Sequence, residues 1–181
     1  MTMTRRGLLA SGGVAVTFGA AACSRGAPES QTDARTEGRM SLATTQDGTT
    51  DWSSLSTDQW RERLTEQEFR VLRKEGTEPA GSSPLDKNWD EGTYVCAGCA
   101  LPLFTSEQKF DSGTGWPSFF DHLPGAIETK TDFKLIIPRK EYHCARCGGH
   151  QGHVFNDGPS PTGLRYCNNG VALDFQPASE A

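Results

Sequence analysis

The chain has 181 residues, 35 % of them hydrophobic, and a formal net charge of −5. That length fits one domain with a real core plus flanking segments, and the acidic balance gives no reason to expect a nucleic-acid partner. Six cysteines each have a separate candidate role: four in two C-x-x-C pairs, Cys167 alone, and Cys23 near the N-terminus.

Residues 1–23, MTMTRRGLLASGGVAVTFGAAAC, place Arg5 and Arg6 before an apolar run from Leu8 to Ala22. The run is too short and glycine-rich for a comfortable membrane span. A charged start, apolar middle and small-residue end read as an export signal, and the arginine pair resembles a twin-arginine signal. A loosely folded extension is the alternative. Cys23 follows three alanines, which resembles a lipoprotein cleavage box, although Ala20 stands where a large aliphatic residue is usual. Ordinary cleavage among the alanines is the other reading. The expected location is the periplasm or cell envelope, with the membrane reached only through a lipid anchor at Cys23. Residues 24–50 are rich in Ser, Thr, Gly, Ala and charge and read as a flexible linker. Residues 51–181 are expected to form the folded domain.

Two capping boxes follow, Ser56-x-x-Gln59 and Thr65-x-x-Glu68. They predict short helices near Thr57–Arg63 and Glu66–Glu75, stopped by Gly76, with Leu64, Phe69 and Leu72 buried. Beyond a loop at 82–90, short apolar stretches are broken by Gly, Pro and Asp: Thr93–Cys96, Leu103–Phe104, Ala126–Lys130, Lys134–Pro138, Glu141–Cys144, His153–Asn156, Arg165–Asn169 and Ala172–Phe175. These are strand signals in an antiparallel arrangement. No long helices alternate with them, which argues against a doubly wound parallel sheet.

The chemistry concentrates in Cys144–Asn169. Cys96 and Cys99, with Cys144 and Cys147, supply four soft ligands in two small-residue knuckles, which suits tetrahedral structural zinc. Two disulfides are the alternative in an exported protein, and iron–sulfur ligation a further one. Cys167 lies between polar neighbours. On an extended strand Arg165, Cys167 and Asn169 share a face. Arg165 then favours the thiolate and Asn169 can donate a hydrogen bond. A buried small hydrophobe is the alternative reading of Cys167. A strict strand would part His150 from His153, whereas Gly152 allows a bulge that turns both to one site. Proton transfer is the functional reading of the pair; zinc ligation or a satisfied core histidine are the others. The loop Phe110–Phe120, with Trp116 and Phe119, can wall an apolar pocket or pack as a surface loop.

These segments, in this order, resemble the methionine-R-sulfoxide reductase family in its zinc-containing form. The resemblance covers Leu55 to Pro177. It rests on Leu64–Arg70, Glu91–Tyr94, both cysteine pairs, Lys109–Gly113, Gly115–Phe119, His150-x-Gly152-His153-Val154-Phe155 and Pro161–Cys167. It implies a mainly β, α+β fold of two antiparallel sheets preceded by short helices, with a four-cysteine zinc site at Cys96, Cys99, Cys144 and Cys147. It also implies reduction of methionine R-sulfoxide, in proteins or free, with Cys167 as nucleophile and His150, His153 and Asn169 as polar catalytic residues. Cys167 would attack the sulfoxide sulfur and end as a sulfenic acid, while His153, helped by His150, protonates the departing oxygen. Trp116 matches the substrate-contacting tryptophan, and we place Phe119 and Arg165 beside it as substrate-binding candidates. The expected partners are the sulfoxide substrate and a thioredoxin-like reductant or small thiol, and the chain is expected to be a monomer. A zinc-stabilised binding module without turnover is the rival reading. Three positions depart from the family pattern. Thr114 stands where many members carry a recycling cysteine, while Asn168 and Gln151 stand where aliphatic residues are usual. A buried Asn168 must find a hydrogen-bond partner or cost packing.

Overall fold

A computed structural model describes residues 50–133 and 138–178. The expected export signal, Cys23, nearly all of the linker, and the strand signal at 134–137 lie outside the described residues. The fold opens with helices α1 (Thr57–Arg63) and α2 (Glu66–Lys74). Both expected capping boxes are formed: Ser56 N–H donates to Gln59 Oε1 at 2.8 Å, and Thr65 N–H to Glu68 Oε2 at 2.8 Å. Each box satisfies amides that the helix itself leaves free. The stop of α2 differs from the expectation by one residue. Glu75 takes the left-handed conformation at φ 52°, and Gly76 N–H returns to the Arg70 carbonyl at 3.0 Å. Glycine is required there because a Cβ would approach that carbonyl to 2.9 Å.

The strands are β1 (Gly92–Cys96), β2 (Pro102–Thr105), β3 (Lys109–Phe110), β4 (Ser118–Phe119), β5 (Ile127–Asp132), β6 (Arg139–Cys144), β7 (His150–Phe155), β8 (Arg165–Asn168) and β9 (Leu173–Pro177). They form a three-stranded sheet of order β2-β1-β9 and a six-stranded sheet of order β3-β4-β8-β7-β6-β5. Every pairing is antiparallel. Strands β3 and β4 were not legible in the sequence, since two residues carry no period. Strand β7 starts at His150, three residues before its expected start.

The core lies between the sheets. Leu64, Phe69 and Leu72 are buried as expected, joined by Trp60 and Val71 from the helices. Phe104 and Phe119 stack with ring centroids 4.1 Å apart and planes 8° from parallel, and Tyr94, Tyr142 and Tyr166 edge around them. This corrects the reading of Phe119 as a substrate contact. In β4, Ser118 lies opposite Cys167 and Phe119 opposite Tyr166. Because neighbours on a strand face opposite sides, Phe119 points into the core whenever Ser118 points to the cysteine.

Phe119→Ala should therefore destabilise the fold by about 3–5 kcal/mol, measured by denaturant unfolding. Phe119→Leu, which keeps most of the buried volume, should remain folded and cost less than Phe119→Ala in the same measurement.

Candidate active site

The site is built from a cross-strand row. Glu141 on β6 pairs with His153 on β7, His153 with Cys167 on β8, and Cys167 with Ser118 on β4. Directly opposed residues share a face of the sheet, so the row presents an acid, an imidazole and a thiol side by side. The register between β6 and β7 shifts after Tyr142, where His143 pairs with His150 and Gln151 is the extra residue. This is the expected bulge, placed at Gln151 rather than Gly152. It brings the His150 and His153 rings to 5.5 Å between centroids. Gly152 serves a different purpose. A Cβ at this position would lie 1.9 Å from the Cys167 carbonyl, so its bare Cα is what lets β7 and β8 pair here.

Cys167 opens into a cleft of about 230 Å³ whose walls include Trp116, Thr77 and Phe155. His153, Arg139 and Asn169 supply its polar lining. Burial pushes the Cys167 thiol above its ordinary acidity range, while the Arg165 guanidinium and Thr114 hydroxyl pull it back down in part. Arg165 thus acts on the sulfur with the expected sign, but desolvation is the larger effect. Arg165 does not itself line the cleft. It is buried, gripped in a two-pronged pair by Asp157 at 2.9 and 2.8 Å, and stacked over the Phe155 ring at 4.3 Å. Its place as a substrate-binding residue is corrected to a support behind Phe155.

The histidines are held differently. His153 Nε2 faces Asp132 Oδ2 at 2.8 Å, and Arg139 donates to the same oxygen at 2.7 Å. A ring nitrogen set against a carboxylate carries the proton, which leaves the other nitrogen of His153 for exchange. His150 Nδ1 lies 2.8 Å from Glu141 Oε1. It is fully buried and absent from the walls of the Cys167 cleft. Its Nε2 finds no hydrogen-bond partner among the described residues. Burial lowers its tendency to protonate, against the pull of Glu141. His150 is therefore a neutral ring behind the row. Asn169 also departs from expectation. Strand β8 ends at Asn168, and the turn that follows takes the Asn169 side chain to the Gln151 carbonyl at 2.9 Å and the Glu78 amide at 3.0 Å. It lines the cleft from there rather than from the face of Cys167.

The four paired cysteines converge. Their sulfurs lie within 4.8 Å of one another and all four residues are buried. None of the described cysteines is disulfide-bonded. Four thiolates this close would repel one another without a cation between them. Two N–H donors also point at sulfur: Gln151 Nε2 at 3.3 Å from Cys96 and Arg73 Nη2 at 3.8 Å from Cys147. Soft ligands, closure by protein on all sides and N–H···S support fit a structural metal.

The two polar departures account for each other. Asn168 Oδ1 accepts from the Tyr142 hydroxyl at 2.6 Å, and its Nδ2 donates to the Asn169 carbonyl at 2.8 Å and to Gln151 Oε1 at 3.3 Å. Gln151, an acceptor toward Asn168, donates from Nε2 to the Cys96 sulfur. A buried Asn168 thus finds its side-chain partners in Tyr142 and in the other unusual residue, Gln151. Sequence reading missed Asp132, Glu141, Arg139 and Thr77, which reach the site only through pairing or chain reversal. Phe155 was legible in principle, two residues from His153 on the same face of a strand.

Two measurements check this geometry. Asn168→Ile alone should cost about 1–3 kcal/mol, as expected when buried amide and hydroxyl groups lose their partner, and adding Gln151→Leu should recover part of it, read as coupling in a denaturant double-mutant cycle. Because His150 is harder to protonate when folded, its contribution to stability is full above its ordinary value of 6.5 and is lost as pH falls below that. His150→Gln should flatten this acid limb of the melting temperature.

Residues 64–177 match the family described as the SelR domain. The chain is 50 % identical over 122 residues to the peptide methionine sulfoxide reductase MsrB of Leptospira interrogans, covering 67 % of this chain and 93 % of that protein. It is 50 % identical over 119 residues to the protein of the same name from Agrobacterium fabrum, covering 65 % and 88 %. Against the Methanosarcina barkeri protein it is 47 % identical over 126 residues, covering 69 % and 89 %.

Proposed function

The chain belongs to the SelR-domain family, the peptide-methionine (R)-S-oxide reductases, and from that premise we propose that it reduces methionine R-sulfoxide through Cys167. The observation that carries the reading is the opposition of His153 and Cys167 across β7 and β8, inside a cleft walled by Trp116. The Cys167 sulfur attacks the electrophilic sulfoxide sulfur. His153, held by Asp132, takes the Cys167 thiol proton on its other ring nitrogen and delivers it to the sulfoxide oxygen, and Asn169 offers a polar contact from the cleft wall. The oxygen ends on Cys167 as a sulfenic acid, so two electrons pass from the cysteine sulfur to the methionine sulfur. Burial that raises the Cys167 thiol also sharpens the electrostatics of the closed site when substrate displaces water. Trp116 and Phe155 form the apolar wall for the substrate's methyl group, and that contact contributes to choosing the epimer.

Recycling proceeds through an external thiol. Thr114 offers no thiol, and the other described cysteines are the four of the cluster. Cys167 is partly exposed, which favours direct attack. One thiol displaces water from the sulfenic acid to give a mixed disulfide; a second releases Cys167 and leaves the reductant oxidised. Cys96, Cys99, Cys144 and Cys147 hold zinc, whose part is to tie the folded chain together. The N-terminal reading adds a place: export directed by Arg5 and Arg6, with Cys23 as a lipid anchor.

The deciding experiment assays the separate R and S sulfoxides with wild type and Cys167→Ser. Turnover of the R form alone, abolished in the variant, is the expected outcome; turnover by Cys167→Ser would sink the assignment. Excess sulfoxide without reductant should leave enzyme heavier by one oxygen and trappable by a sulfenic-acid reagent. An intramolecular disulfide at Cys167 in that sample would rule out the recycling scheme.

A further inference from the structure

Glu78 lies in the segment between α2 and β1, in no helix or strand, yet it makes four hydrogen bonds to the catalytic corner. Its carbonyl accepts from Trp116 Nε1 at 3.2 Å. Its N–H donates to Asn169 Oδ1 at 3.0 Å. Its carboxylate accepts from the Val171 amide at 3.1 Å and from the Gly170 amide. The residue before it, Thr77, lines the Cys167 cleft. We propose that Glu78 is a positioning residue for sulfoxide binding: its carboxylate pins the segment to the Gly170–Ala172 turn, and its main chain thereby fixes the Trp116 ring and the Thr77 wall.

The sheet does this work only in part: the Asn168 amide of β8 donates to the Pro117 carbonyl at 2.9 Å, which holds the backbone next to Trp116 but not its indole ring. Cys167 and His153 are set by the pairing of β7 with β8, which is independent of Glu78. Trp116 stands before β4 begins, and Thr77 lies in the connecting segment, so neither is held by a ladder. The segment's other ties to the aromatic loop, the Gly81 amide on the Gly115 carbonyl at 2.7 Å and Lys87 Nζ on Asp111 at 3.4 Å, do not engage the Trp116 indole nitrogen. The carboxylate is kept in an unfavourable place. Burial raises its proton affinity and nearby Asp86 raises it further, opposed by the Gly170 and Val171 amides and the Ser82 side chain. The turn it grips is built tightly around it: a Cβ at Gly170 would meet Ser83 Oγ at 2.1 Å and Glu78 Oε1 at 3.3 Å. A charge-assisted grip on two consecutive amides is stronger than a neutral one. It suits a wall that must keep its shape while substrate enters.

The position of the latch dictates which kinetic quantity it moves. Loosening a wall that contacts bound substrate weakens ground-state and transition-state binding alike, which raises KM and spares kcat. The inference rests on the reading of this cleft as the sulfoxide site, so the test has a second arm independent of turnover. The full chain is assayed with a peptide carrying methionine R-sulfoxide, in dithiothreitol, as wild type, Glu78→Ala and Glu78→Gln. Glu78→Ala should raise KM roughly tenfold with kcat changed less than about threefold. Glu78→Gln retains one acceptor of the same shape and should fall between wild type and Glu78→Ala. In nitrogen–proton NMR spectra, the Trp116 indole signal should shift and lose hydrogen-exchange protection in Glu78→Ala and regain part of it in Glu78→Gln. A Glu78→Ala variant with KM within twofold of wild type, or one that loses kcat at unchanged KM, overturns the latch. Should wild type fail to reduce the sulfoxide, the functional reading falls alone. An unchanged Trp116 signal would then overturn the latch by itself. Should Glu78→Ala not fold, Glu78→Gln carries both arms, and wild-type KM with an unmoved indole signal overturns it.

Discussion

The closeness of β7 to β8 at Gly152 is the constraint on which the site depends. A side chain there would collide with the Cys167 carbonyl, so the strands reach pairing distance only over a glycine. Once paired, the register is fixed, and it aligns Glu141, His153 and Cys167 in a single row. A slip of one residue in β8 would turn Cys167 into the core and Tyr166 out to the cleft. The bulge at Gln151 is the complementary device. It adds a residue to β7 without moving His153 out of the row, and so brings His150 near the face that its number alone would deny it.

Two kinds of cross-tie hold this row in place. The cysteine cluster draws the end of β1 and its knuckle against the end of β6 and its knuckle, so it joins the small sheet to the large one at the point where neither has a ladder to the other. From that cluster a buried polar relay runs through Gln151 and Asn168 to Tyr142. Asn168 is the neighbour of Cys167, which means that the residue beside the cleft thiol shares a hydrogen-bonded chain with a cluster sulfur. Polar groups so deep are tolerable because each finds a partner.

The electrostatics of the site are a contest between burial and charge. Burial dominates at Cys167 and at His150, raising one thiol and keeping one imidazole neutral. Arg165 opposes it at the sulfur but is itself occupied by Asp157. Desolvation disfavours the Cys167 thiolate, and Arg165 offsets it only in part. It also protects the thiol from indiscriminate reaction.

By itself the sequence determined what local chemistry determines. Capping boxes fixed both helix starts, because the cap and its partner are three residues apart. The two cysteine pairs announced a four-sulfur cluster through their knuckle spacing. Cys167, His153 and Trp116 were legible from residue type and motif. Tertiary structure decided whatever depends on residues far apart in the chain. It chose Gln151 as the bulge, sent Phe119 to the core through its partner Tyr166, and turned Asn169 out of β8. It also moved Arg165 behind Phe155 and gave Asp132 to His153 across the sheet. The matching of Asn168 with Gln151 belongs to this second group. Each looked like a costly exception alone, and only the pairing of β7 with β8, which no local pattern encodes, brings two buried amides within hydrogen-bonding distance.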